Sequence, residues 1–143
     1  MIKMDDNTYR EHYTLEQKYD SESGKLLCEK FRNSAGQLDR GGLPSELHYY
    51  RNNGELREIK YHRNGVLHRE DGPAQISFHE DNGTIGLEYW YKNGKQHRDG
   101  TLPAVIGRQR DGRIWTRSYW KNGEKVAPTL EGLTVNKFIN DLE

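Results

Sequence analysis

The chain has 143 residues, with 22 Lys and Arg against 22 Asp and Glu, a mean hydropathy of −1.11 and only 32% hydrophobic residues. Zero net charge excludes a long-range pull on nucleic acid or anionic membranes, the lone Cys28 excludes an internal disulfide or a four-cysteine zinc site, and no apolar run approaches the roughly 20 residues that span a bilayer. So little apolar material suits either a disordered chain or a thin repeat fold, and nine Tyr, three Trp and three Phe at balanced charge argue for the second.

The first ten residues, Met1 to Arg10, are polar and acidic, which predicts no signal peptide; with the single cysteine this fits a reducing, cytoplasmic setting. Tyr13, Leu15 and Tyr19 lead to Gly24 and then Leu26, Leu27 and Phe31, a degenerate first hairpin that carries Cys28 as a small packing residue. Leu47 and Tyr49 run into Asn53-Gly54 and on to Leu56, Ile59 and Tyr61. Asn64-Gly65 is a type I′ turn signal, because both central residues of that turn need positive φ. Ala74, Ile76 and Phe78 alternate with polar residues up to a second hairpin signal, Asn82-Gly83; Ile85, Leu87, Tyr89 and Tyr91 then share a face. Val105 and Ile106 run into Asp111-Gly112, followed by Ile114, Trp115, Tyr119 and Trp120. Thr134 is an N-cap residue ahead of an apolar stripe of Val135, Phe138, Ile139 and Leu142, which predicts a helix over Leu133 to Leu142 that covers the last hairpin.

These segments are copies of one unit. Gly36, Gly65, Gly94 and Gly123 lie 29 residues apart; so do Gly54, Gly83 and Gly112, and Arg40, Arg69 and Arg98. Pro44 and Pro73 keep step, and Pro103 comes one residue late. The prediction is an all-β, antiparallel meander of tandem 29-residue hairpin repeats, about eight strands in all, with a short C-terminal capping helix. It forms a single domain: residues 1–30 an N-terminal hairpin or cap, 31–127 the repeats, 128–143 the cap helix.

The Asn-Gly turns at Asn64-Gly65, Asn93-Gly94 and Asn122-Gly123 resemble the MORN-type repeat family, and more closely a variant of it in phage, giant-virus and bacterial proteins. That variant reads Leu-His-Arg-x-Asp-Gly-Pro-Ala, which Leu67 to Ala74 matches in full. Gln96 to Ala104 matches with an extra residue, and Leu38 to Pro44 is a weaker copy with Asp39 in place of His. The resemblance implies a β-hairpin scaffold for protein or lipid contact. It also implies an accessory role for a phage protein in the cytoplasm of its host, binding and inhibiting a defence factor.

Two groups of side chains are candidates for function. His68-Arg69 and His97-Arg98 form a row if the units stack, and a row of imidazole and guanidinium groups can hold a phosphate; the structural reading is that a motif copied with the scaffold serves the scaffold. The same histidines are weak metal candidates, with no HExxH string and no cysteine partners. In the second group, Trp90 and Tyr50 would lie on the open face if the core takes the other one, with Arg57, Lys92 and Arg117 nearby. This would make a stacking platform or a protein-binding hot spot; cross-strand aromatic packing is the structural counterpart. No nucleophile elbow, phosphate loop or dinucleotide fingerprint appears, so no catalytic residue, metal or cofactor is assigned.

The functional expectation is a non-enzymatic interaction module with a protein partner. A binder of a nucleotide or other phosphate-bearing small ligand is the alternative. A hydrolase using His68, His97 and Asp71 ranks last, and neither membrane nor nucleic acid is expected as a partner. A flat meander could also pair with a second copy to form a homodimer.

Overall fold

The computed structural model describes residues 13–128, and all regular structure among them is β. The predicted helix from Leu133 to Leu142 lies outside the described residues. In chain order the strands are β1 (Thr14–Tyr19), β2 (Leu26–Arg32), β3 (Glu46–Tyr49), β4 (Leu56–Lys60), β5 (His62–Arg63), β6 (Val66–Leu67), β7 (Gln75–Phe78), β8 (Ile85–Tyr89), β9 (Tyr91–Lys92), β10 (Lys95–Gln96), β11 (Val105–Arg108), β12 (Ile114–Lys121) and β13 (Glu124–Val126). Nine of them form one antiparallel meander, β1-β2-β3-β4-β7-β8-β11-β12-β13, one strand more than expected. The connection inside a unit, read from the sequence as a plain link, is itself a two-stranded ribbon: β5 with β6, and β9 with β10.

Each hairpin therefore has two unlike ends. At the ribbon end, Asn64, Asn93 and Asn122 have φ of 48°, 51° and 50°, and Gly65, Gly94 and Gly123 have 86°, 81° and 85°. Both central residues are left-handed, as a type I′ turn requires. The glycines also face the previous unit: a Cβ on Gly94 would crowd Val66 Cβ at 3.3 Å, while one on Gly65 or Gly123 would make ordinary contact with Gln37 or Lys95 at 3.7 Å. At the loop end, only the glycine of Asn53-Gly54 and of Asn82-Gly83 has positive φ. These are longer loops, closed by Tyr50 N–H to the Glu55 carbonyl and His79 N–H to the Thr84 carbonyl. The asparagine side chains accept the N–H groups of Glu55 and Thr84.

A β-bulge breaks each of the four long hairpins just before its loop. The register skips Leu27 in β2, Arg57 in β4, Gly86 in β8 and Trp115 in β12. Bulges bend a strand and increase its twist, so each unit bends at the same place. They also interrupt the alternation read for Ile85, Leu87 and Tyr89.

The cross-strand register gives the thin core. Leu47, Ile59, Ile76, Glu88, Ile106 and Arg117 are successive partners from β3 to β12 and share one face. Ile76 and Ile106 are buried, together with Phe31 and Tyr119. Behind the prolines, Ser45, Ala74 and Ala104 are fully shut off at 0% exposure. Leu87 and Tyr89 lie on the opposite face, opposite Ser77 and Gln75. The core thus takes the pleat of Glu88, and Trp90, two residues further on, follows that side rather than the open one predicted for it.

Candidate functional site

The repeated arginine ties the units at the ribbon end. The guanidinium carbons of Arg40, Arg69 and Arg98 lie 3.8, 4.1 and 3.8 Å from the ring centres of Phe31, Tyr61 and Trp90. Each arginine also donates Nη1–H to the carbonyl of the proline that follows: Pro44, Pro73 and Pro103. A planar cation over an aromatic face is worth roughly 0.5–2 kcal/mol depending on desolvation. Burial pulls the Arg98 guanidinium below its ordinary value. Gly72 makes room for this arrangement, since a Cβ there would meet Arg69 Cζ at 2.6 Å.

The histidine before each arginine joins one unit to the next. His68 Nδ1 accepts the backbone N–H of Asn93 at 2.9 Å, and His97 Nδ1 accepts that of Asn122 at 3.0 Å. The tautomer follows from these partners: the ring proton sits on Nε2, which donates to Glu70 from His68 and to Asp99 from His97. These bonds hold the Glu70 and Asp99 carboxyls below their usual range, with Arg63 and Lys92 adding to the effect. Asp39, the apparent defect in the motif, does the same work, its Oδ2 accepting the N–H of Asn64 at 2.9 Å. What repeats is an acceptor for the next turn, and His68, Arg69, His97 and Arg98 are all engaged inside the scaffold.

Clefts follow these contacts along the sheet. One of about 380 Å³ is lined by Asp39, Tyr61, His62, Arg63, Arg69 and Glu70, among others. Its counterpart one unit on, about 250 Å³, includes Trp90, Lys92, His97, Arg98 and Asp99. Both mix cations with carboxylates. Trp90 is half-buried there beneath Arg98, with its Nε1 buried. Of the nine predicted residues, Arg69, Trp90, Lys92, His97 and Arg98 come together in this second cleft and His68 lines the first, while Tyr50 and Arg57 line another cleft and Arg117 a further one with Tyr119 and Lys125.

At the loop end, Tyr50 donates its hydroxyl to the Phe78 carbonyl, and His79 Nε2 contacts the Arg108 carbonyl at 2.9 Å. Tyr50 and His79 lie 29 residues apart and do one job, so the Tyr50 hydroxyl is taken. The residue that sequence reasoning missed here is Trp115. It occupies the last bulge and is 61% exposed. Its indole lies across Gly107, where a Cβ would come within 2.8 Å of Trp115 Cε2. A cleft of about 370 Å³ beside it is lined by His79, Arg108, Gln109, Arg110, Asp111 and Trp115. No periodic signal marks Trp115, because the bulge position repeats in backbone but not in residue.

The fold also assembles a constellation that superficially fits nucleophilic catalysis. Ser45 Oγ is 2.7 Å from His62 Nδ1, and His62 Nε2 is 3.7 Å from Glu46 Oε2. Ser45 is 0% exposed and its hydroxyl also reaches the Lys60 carbonyl, so no substrate can meet it. Burial pushes the His62 imidazole below its ordinary value against the pull of Glu46. Among the described residues no three His, Cys, Asp or Glu side chains gather to hold a metal, and no helix is long and apolar enough to cross a membrane. Compared with family models, curated proteins and solved structures, the chain gives no significant match to any of them.

Proposed function

We propose that the chain is a non-enzymatic interaction module whose partner docks at the loop end of its last hairpin. The observation that carries this reading is Trp115: a tryptophan 61% exposed, its indole against Gly107, beside Arg108 and Arg110 in an open cleft. Tryptophan and arginine dominate binding hot spots, and Trp115 is the most exposed large apolar side chain among the described residues. The resemblance to phage repeat proteins extends the proposal, by analogy alone, to a host defence factor as the partner. The alternative, a phosphate clamp built from the His-Arg row, is weakened because that row already serves as stacking cations and turn acceptors.

The test is affinity capture from the native cell with the intact chain and with Trp115→Ala. The expected outcome is a stoichiometric partner lost in the variant, with the melting temperature unchanged. A partner retained at full yield by Trp115→Ala would overturn the reading.

A further inference from the structure

The N-terminal half of the sheet carries a cleft unlike those of the His-Arg row. It measures about 450 Å³ and is lined by Lys18, Leu27, Cys28, Lys30, His48, Tyr49, Tyr50, Arg51 and Arg57. No carboxylate is among these residues. Lys18, Cys28 and His48 are successive cross-strand partners on one face, and Lys30 lies two residues from Cys28. Arg57 comes from the neighbouring bulge. Acids outside the cleft partly compensate the cations: Arg51 Nε is 3.1 Å from Asp20 and Lys30 Nζ is 3.8 Å from Glu46. The side chains of Lys18 and Arg57 make no salt bridge or hydrogen bond to another described residue.

Two further features point to a ligand. His48 Nε2 is buried and makes no hydrogen bond, although it stands 3.5 Å from Glu46 Oε1; a buried polar atom left unsatisfied calls for a missing partner. The Tyr50 ring borders the cleft with its hydroxyl donated to the Phe78 carbonyl at 2.5 Å, whereas Tyr49 alternates with His48 onto the Leu47 face, where its hydroxyl donates to Glu29 Oε1 at 2.6 Å. Burial and the Glu29 bond push the Tyr49 hydroxyl up to about 12. The Tyr50 ring is fixed by its bond, and a fixed ring offers a stacking surface with little conformational entropy left to lose.

We infer that this cleft binds a phosphate monoester that carries a planar ring: the phosphate between Lys18 and Arg57, the ring against Tyr50. A guanidinium and an ammonium left without acids match a dianion, and the volume is in the range of small-ligand sites. This site is separate from Trp115, so either proposal can fail alone.

The experiment is isothermal titration of the full chain with adenosine monophosphate, adenosine and inorganic phosphate at low salt. Saturable binding of the nucleotide is expected, with adenosine and phosphate each at least about tenfold weaker. Lys18→Ala combined with Arg57→Ala should weaken it by about 10–100-fold. Both side chains are exposed and unpaired, so the double variant should melt with the parent, and Trp115→Ala should bind like the parent. No saturable binding of the nucleotide, equal affinity in the double variant, or phosphate alone binding as tightly would each overturn the inference.

Discussion

At the ribbon end of the sheet the same side chains return in every unit: an arginine over an aromatic ring, an acceptor for the next Asn N–H, and a glycine against the unit before. At the loop end the bulge returns just as regularly but holds Leu27, Arg57, Gly86 and Trp115 in turn. The difference is one of cause. Where a side chain itself bonds one unit to the next, its chemistry is fixed by the fold. Where backbone alone makes the feature, the residue is free, and only there can one unit acquire a chemistry its neighbours lack. Both proposed binding surfaces contain a bulge residue, Trp115 in one and Arg57 in the other.

This contrast sets an order of effects. The largest belongs to Trp90→Ala, which removes the platform under Arg98 and should cost about 3 kcal/mol in urea or thermal unfolding. A loss as small as that of Trp115→Ala, expected within about 0.5 kcal/mol, would erase the distinction between the two ends. Next comes Arg69→Lys, which keeps the charge but loses the planar stack on Tyr61 and the bond to the Pro73 carbonyl. About 1–2 kcal/mol should go, whereas Lys in place of Arg57 should change nothing in the melting temperature.

The smallest effect is a pH dependence confined to one unit. His62 is held below its ordinary value by burial, so the unfolded chain takes up the proton first. The stability it contributes is complete above an ordinary histidine value of about 6.5 and declines as pH falls through the lowered folded value. The melting temperature should therefore drop by a few degrees between pH 7 and pH 5, and His62→Gln should flatten that slope. An unchanged slope in the variant would show that the loss arises elsewhere. The Glu70 and Asp99 carboxyls act at lower pH with the same sign, their stabilisation lost as pH falls through their lowered values.

The period, the antiparallel meander and the type I′ turns were legible because each rests on a residue that can do little else. Asn-Gly with both φ positive and glycine against a neighbour are local constraints, and 29-residue spacing repeats them. The ribbons β5–β6 and β9–β10 were not legible, since strands of two residues leave no alternation to read. Which face is buried was left open by the sequence, because apolar residues stand on both sides of the strands; the pleat of Ile59, Ile76 and Ile106 decides it. The sequence left the His-Arg row with both a binding and a structural reading, and its contacts were hidden: that His68 and Asp39 both accept an N–H from the next turn appears only in the structure. Trp115 escaped because no sequence pattern marks the bulge that exposes it.

The bonds between units have one more consequence, for how such a chain can change in length. Gly65 bonds back to Leu38, Gly94 to Leu67 and Gly123 to Gln96, always across the same number of residues, and the Asn N–H groups keep a constant offset of 25 to their acceptors. Excising the segment from His62 to Trp90 would bring Asp39 opposite Asn93 and Leu38 opposite Gly94, each donor meeting an acceptor of the kind it lost. Recombination between units can thus shorten or lengthen this protein without a new junction to optimise, moving the Lys18–Arg57 cleft and Trp115 nearer or farther apart as two tools on a rail of adjustable length.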